Sequence, residues 1–167
     1  MYNTKYFANC TTIEEAKALY KKLAKANHPD LGGDTEKMKA INAEFEKVFD
    51  LLKNKHTGAN NTTYTAKSDS TETAAEFMNI INKLIHCNGL VIELVGRWIW
   101  LTGNTYEHRN IIKSLGFTWA TRKKAWYWHA PEDKSFNRKE MSLNEIRSLY
   151  GSKVFETEKD NTARLTA

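Results

Sequence analysis

The sequence lacks the features that mark secreted and membrane proteins. It has only two cysteines, Cys10 and Cys87, and two cysteines in a chain of 167 residues do not make a disulfide framework. Their scarcity is typical of a reducing compartment. No apolar run is long enough to cross a bilayer, and residues 1–10 are too polar for a signal peptide. We therefore expect a soluble cytoplasmic protein with no membrane partner.

Catalytic and cofactor signatures are also missing. The chain contains no nucleophile elbow, no phosphate-binding glycine loop and no HExxH motif. His56, His86, His108 and His129 are scattered along the chain, and His86 with Cys87 lacks the partners that a zinc site needs. The sequence thus predicts no enzyme activity, no cofactor and no metal.

The composition is otherwise that of a folded protein with a mild basic excess. Hydrophobic residues make up 41% of the chain, and the net charge of +5 permits an acidic partner or nucleic acid without demanding either. Residues 57–72 are rich in Thr, Asn and Ser and are predicted to be a flexible linker. This linker would divide a domain at 1–56 from a Trp-rich domain at 73–151, followed by a disordered tail at 152–167.

The first domain begins with a predicted amphipathic helix. Thr12 and Glu15 have the spacing of a capping box, and Pro29 ends the helical pattern. Apolar residues recur at helical spacing: Ile13, Ala16, Tyr20 and Leu23. Four lysines lie off this stripe and are expected to form an exposed basic face: Lys17, Lys21, Lys22 and Lys25.

A second helix is predicted after Asp34, which is a good N-cap. Its apolar stripe consists of Met38, Ile41, Phe45, Val48 and Leu52. The two helices should form an antiparallel hairpin. Gly32 and Gly33 suit the turn between them, but a turn does not require His28 and Asp30 on either side of a proline.

These residues together resemble a J domain, the signature module of DnaJ-type co-chaperones, over about residues 4–55. The resemblance is carried by Tyr20-Lys21-Lys22-Leu23-Ala24, His28-Pro29-Asp30, the paired glycines and the INAEFE segment of the second helix. It implies binding to a DnaK-type heat-shock chaperone and stimulation of its ATP hydrolysis. In that case His28, Pro29 and Asp30 would trigger hydrolysis. The basic face that docks on an acidic surface would consist of Lys21, Lys22 and Lys25.

The sequence departs from the J-domain pattern in several places. Leu31 stands where the family often has lysine, and the short final helix of the family is not evident. The glycine-phenylalanine region and the zinc-binding CxxC repeats of full-length DnaJ are absent. The second half is therefore expected to have a role of its own, such as binding or targeting a client.

The second half is predicted to be a small sheet with helices on one face, which makes the whole chain α+β. A capping box at Thr73 and Glu76 begins a helix, and Ser142 begins a last one. Strand-like and helical segments between them give a β-β-α-β-β order: residues 90–95, 98–102, 105–115, 117–120 and 125–129.

The tryptophans of this half allow two interpretations. They could form the core of the sheet, or, with basic residues at the turns, they could stack on the bases of single-stranded nucleic acid. The candidate binding residues are Arg97, Trp98, Trp100, Arg122, Lys123, Lys124, Trp126 and Trp128. The segment IIKSLGFTWATRKKAWYW is also weakly similar to HARP-like and other small phage or bacterial modules.

Overall fold

Five helices and seven strands form the described part of the chain. The computed structural model describes residues 4–58, 62–67, 69–131, 141–150 and 153–156. The helices are α1 (Ile13–Asn27), α2 (Thr35–Leu52), α3 (Ala74–Leu84), α4 (Arg109–Ser114) and α5 (Leu143–Tyr150). The strands are β1 (Lys55–Thr57), β2 (Thr63–Thr65), β3 (Leu90–Val95), β4 (Trp98–Gly103), β5 (Thr118–Ala120), β6 (Ala125–Trp128) and β7 (Lys153–Glu156). This mixture confirms the α+β class. Within these ranges, no helix has the length and apolar character needed to cross a membrane.

The N-terminal helices form as their caps and stripes predict. Thr12 and Glu15 make the expected capping box at the start of α1, and the Asp34 side chain accepts hydrogen bonds from the backbone of Glu36 and Lys37 at the start of α2. All five residues of the predicted α2 stripe are buried. α1 and α2 pack against each other, so the helical hairpin is confirmed.

The segment predicted as a flexible linker is partly ordered, which corrects that expectation. β1 and β2 pair as an antiparallel hairpin, with His56 opposite Tyr64. The His56 imidazole lies 2.7 Å from the Glu14 carboxylate of α1, and the Thr57 N–H donates to the same carboxylate at 3.0 Å. Hydrogen bonds between polar residues hold this segment in place. A prediction from composition looks for apolar residues to bury, and it indicated disorder because this segment has few.

The main sheet has the strand order β5-β6-β4-β3-β7, with antiparallel pairing throughout. The predicted β-β-α-β-β order is present, with the helix shortened to α4. β7 pairs with β3 inside the tail that was predicted to be disordered, so that expectation is wrong for Lys153–Glu156. The rest of the tail lies outside the described residues.

Helices cover both faces of this sheet, not one as predicted. Leu90, Ile92 and Leu94 of β3 enter the main core, on the face that packs against the helical hairpin and α3. On the opposite face, Leu143 and Ile146 of α5 pack in a second cluster with Val95 and Trp100. Arg147 of α5 also pairs with the buried Glu93 of β3. α5 packs on this face because the face is apolar at Val95 and Trp100, and because the Glu93 carboxylate pairs with Arg147.

One hydrophobic core joins the two halves of the chain. Phe77 of α3 is fully buried, and its ring lies 5.7 Å from Phe45 of α2 and 6.1 Å from Tyr20 of α1. Tyr20 in turn stacks on Phe45 with ring centroids 4.3 Å apart. The hairpin is therefore packed against the second half of the chain along α3.

Candidate functional site

The loop between α1 and α2 forms a short, closed turn. Pro29–Leu31 make a single 3-10 turn, and the backbone of His28 adopts the extended conformation favoured before proline. The His28 carbonyl accepts hydrogen bonds from the N–H groups of Leu31 at 3.0 Å and Gly33 at 2.9 Å. His28, Pro29 and Asp30 thus lie together at one tip of the hairpin.

His28 and Asp30 differ in exposure. The Nδ1 atom of His28 accepts a hydrogen bond from the Asp30 backbone N–H at 3.2 Å, so the imidazole caps the turn. The His28 side chain is only 14% exposed, whereas that of Asp30 is 71% exposed. The turn therefore presents the Asp30 carboxylate to solvent and uses His28 to hold its backbone.

Glycine is required at Gly33 by close packing. A Cβ atom there would lie 2.1 Å from the Asn27 carbonyl carbon, at the last residue of α1. Gly32 has a φ of 81°, in the left-handed region, but a Cβ atom there would meet nothing within 4 Å. The two glycines bring α1 and the start of α2 close together behind the tip.

The predicted basic face is only partly exposed. Lys22 is exposed and Lys25 is half-buried, and both lie in the half of α1 that leads to the tip. Lys21 is buried, and its Nζ atom donates to the Ile92 carbonyl of β3 at 3.2 Å. Burial, together with the charge of Lys25, lowers the pKa of Lys21 to about 6. The expectation that Lys21 lies on an exposed docking face is therefore wrong.

Lys17 is buried as well, which also corrects the predicted solvated face. Its ammonium lies 2.6 Å from the Glu72 carboxylate and faces the rings of Phe49 and Phe77 at 5.6 and 5.1 Å. α1 has a polar face by sequence, but α3 and β3 cover part of it. The lysine stems fill that interface, which is a known use of long cationic side chains.

His86 lies beside the tip and was not predicted to be there. Its Nε2 atom is 3.5 Å from the Asp30 carboxylate, and its ring meets that of His28 edge-on, with centroids 4.9 Å apart. His86 follows α3, so its position depends on the packing of α3 against the hairpin. No local pattern in the sequence could have found this contact.

The structure does not bring the predicted tryptophans together on one binding surface. Trp98 and Trp100 lie on the sheet face that α5 covers, whereas Trp126 and Trp128 pack toward the main core. Trp100 and Trp126 are buried. Trp98 is half-buried in a stack with Tyr127 and His129, among other rings. The buried rings serve the core, which was the first of the two interpretations.

The predicted basic residues are also dispersed. Arg97 donates to Nε2 of His56 at 3.1 Å and so belongs to the network that joins β1 to Glu14. Arg122, Lys123 and Lys124 occupy the turn between β5 and β6. They lie at the opposite edge of the sheet from β7.

Part of this chain has a counterpart among curated proteins. The sequence is similar to DnaJ protein homolog 2 of Allium porrum, with 43% identity over 53 residues. This match supports a J domain in part of the chain. It covers 29% of this chain and 13% of that protein, so the chain spans a small part of its relative's length. No protein-family model and no solved structure matches, and no comparison supports the resemblance to HARP-like modules.

Proposed function

We propose that this protein is a J-domain co-chaperone that binds a DnaK-type heat-shock chaperone and stimulates its ATP hydrolysis. The observation that carries the proposal is the closed turn at His28-Pro29-Asp30, which presents an Asp30 side chain that is 71% exposed. The similarity to a DnaJ homolog supports the same conclusion. The chain itself would not hydrolyse ATP but would change the rate at which its partner does so.

The exposed carboxylate and the adjoining lysines have complementary roles in this proposal. Asp30 accepts charge-assisted hydrogen bonds from a cationic side chain of the chaperone. Lys22 and Lys25 attract an acidic surface and increase the rate of encounter. Stimulation follows if the tip binds the hydrolysis-competent conformation of the chaperone more tightly than its other conformations. Glu72, α3 and β3 support this surface from behind by packing on the buried side of α1.

The direct test is the steady-state ATPase rate of a DnaK-type chaperone with and without this protein. We expect stimulation, and we expect Asp30→Asn to reduce it by about tenfold or more at subsaturating concentration, because a hydrogen bond to a charged group contributes roughly 1.5–3 kcal/mol. Asp50→Asn is the matched control, since Asp50 is an exposed carboxylate near the other end of α2. Absence of stimulation, or equal stimulation by Asp30→Asn, contradicts the proposal.

The contribution of the basic face is tested separately. We expect Lys22→Ala to slow association with the chaperone by about two- to fivefold, with a smaller effect at high salt, because exposed charges act mainly on encounter. Lys47→Ala, at an exposed position of α2, is the control. Surface plasmon resonance at two ionic strengths measures both association rates. If both variants associate equally fast, Lys22 has no steering role.

A further inference from the structure

Three metal-binding side chains meet at the tip of the hairpin. His28, Asp30 and His86 each offer one ligand atom that lies within 4.8 Å of those of the other two. His28 and Asp30 come from the loop between α1 and α2, whereas His86 follows α3. The tertiary packing of α3 therefore brings a second imidazole to the carboxylate of the loop.

We propose that His28, Asp30 and His86 bind a divalent transition-metal ion, with zinc as the ion that their chemistry fits best. Two imidazoles and one carboxylate are characteristic ligands of zinc and other late first-row metals, whereas magnesium and calcium prefer sites made of oxygen atoms. Three protein ligands leave a fourth position for water, as in open zinc sites. The exposed Asp30 leaves room for that water.

All three ligand atoms lie within 4.8 Å of one another, and side-chain rotation must bring them closer around one ion. Ligand atoms around a tetrahedral zinc ion are about 3.3 Å apart, given bonds of about 2.0 Å. The Asp30 carboxylate lies 3.5 Å from His86 Nε2 and 3.9 Å from His28 Nδ1. The side chains of Asp30 and His86 are 71% and 38% exposed, so both can rotate toward a common centre.

The backbone of the site is held in place by the surrounding structure. The closed turn fixes the backbone of His28 and Asp30. The His28 Nδ1 atom accepts the Asp30 N–H, so zinc binding through Nδ1 would replace that hydrogen bond. The end of α3 is held by hydrogen bonds from Ile85 to Ile81 and from Cys87 to Leu84. The Cys87 thiol is buried, donates to the Lys83 carbonyl and is not part of the cluster. The backbone that carries the ligands is therefore held in place, and the side chains complete the site by rotation.

Zinc binding by the full-length, metal-stripped protein tests the proposal, with affinity measured by competition against a chromophoric chelator. We expect the native protein to bind one zinc ion per chain, and His86→Ala to weaken binding by at least about tenfold. His108→Ala is the matched control, because it removes an imidazole outside the cluster. Cobalt(II) substitution adds a spectroscopic measurement, since the intensity of its visible absorption reports four-coordinate binding.

The zinc affinities of the native protein and the two histidine variants decide whether the site exists. Loss of zinc affinity in His86→Ala but not in His108→Ala supports the site, provided that thermal unfolding shows both variants folded. Failure of the native protein to bind zinc, or equal binding by His86→Ala, overturns it. Equal losses in both histidine variants also overturn it, because the ion would then bind elsewhere.

The site also predicts a regulatory effect, which rests on the proposed function, whereas zinc binding itself does not. Zinc would occupy Asp30 and tie the tip to α3, so protein preloaded with one equivalent of zinc should stimulate the chaperone ATPase less than stripped protein. If zinc binds without changing the stimulation of the ATPase, zinc and the chaperone do not compete for Asp30. If stripped protein gives no stimulation while zinc still binds, the proposed function fails and the metal site stands.

Discussion

At the scale of single residues, Lys21 shows how burial changes the role of a charged side chain. Its amino group is enclosed between α1 and β3 and donates to the Ile92 carbonyl. Burial lowers its pKa to about 6, so the side chain is largely neutral in the folded protein at pH 7. In the unfolded chain its pKa is close to the ordinary lysine value of about 10.4. Between these values, the unfolded state binds more protons than the folded state.

This difference predicts how stability depends on pH. The free energy of unfolding should rise with pH between about 6 and 10, by up to about 1.4 kcal/mol per pH unit from Lys21 alone. We expect Lys21→Met to remove this contribution, so the variant is more stable than the native protein at pH 7 and loses that advantage toward pH 10. Urea unfolding of both proteins at several pH values measures the difference.

Lys22→Met is the control, since it makes the same substitution at an exposed lysine and so separates the effect of burial from that of losing a lysine. If the free energy of unfolding of Lys21→Met equalled that of the native protein at every pH, the buried Lys21 would not be the source of the pH dependence. Lys21→Met should also stimulate the chaperone about as well as the native protein, because Lys21 does not reach the docking surface.

At the scale of elements, the loop between α1 and α2 depends on the close approach of Gly33 to Asn27. We expect Gly33→Ala to lower the free energy of unfolding by about 3 kcal/mol, because the added methyl group meets backbone atoms that cannot move aside alone. It should also reduce ATPase stimulation, since the displaced backbone carries Asp30.

Gly32→Ala is the matched control for this loop. The added methyl group there has open space around it, so the cost is limited to the strain of a positive φ, about 1–2 kcal/mol. Chemical denaturation measures both variants. If Gly33→Ala were no more destabilised than Gly32→Ala, the close approach would not be what shapes the tip.

At the scale of the whole molecule, the shared core predicts that both halves unfold together. All five tryptophans lie between residues 98 and 128, so their fluorescence reports the second half. The helices α1 and α2 contribute strongly to far-ultraviolet circular dichroism. We expect the two signals to change at the same urea concentration, because Phe77 packs on Phe45 and Tyr20 across the halves.

Phe77→Ala should move both transitions down together, with a loss of about 3–5 kcal/mol. Leu51→Ala is the control, because Leu51 is a half-exposed apolar residue of α2. Separate transitions for fluorescence and circular dichroism would instead support the independent domains at 1–56 and 73–151 that composition suggested.

The parts of the fold that were predicted from sequence are those decided by local interactions. The capping boxes at Thr12 and Thr73 and the N-cap at Asp34 involve residues a few positions apart, so they can be recognised without a structure. The hairpin of β3 and β4 was predicted for the same reason. The His28-Pro29-Asp30 turn was also found this way, because it is one continuous segment between two patterned helices.

Tertiary packing decided which surfaces remain exposed, and sequence periodicity could not. The pattern of α1 defines one apolar stripe, but α3 and β3 also cover its other side, so Lys17 and Lys21 are buried. Equal spacing on two strands likewise could not show that Trp100 and Trp126 lie on opposite faces of the sheet.

Local sequence and tertiary packing both contribute to the tip of the hairpin. By itself, the sequence determined a closed turn with His28 and an exposed Asp30, because the proline and the paired glycines act locally. Only the tertiary structure brought His86 to within 3.5 Å of the Asp30 carboxylate, through the packing of α3 on the hairpin. No zinc-binding partners lie near His86 in the sequence, because the side chains that could share an ion with it, His28 and Asp30, come from a distant loop.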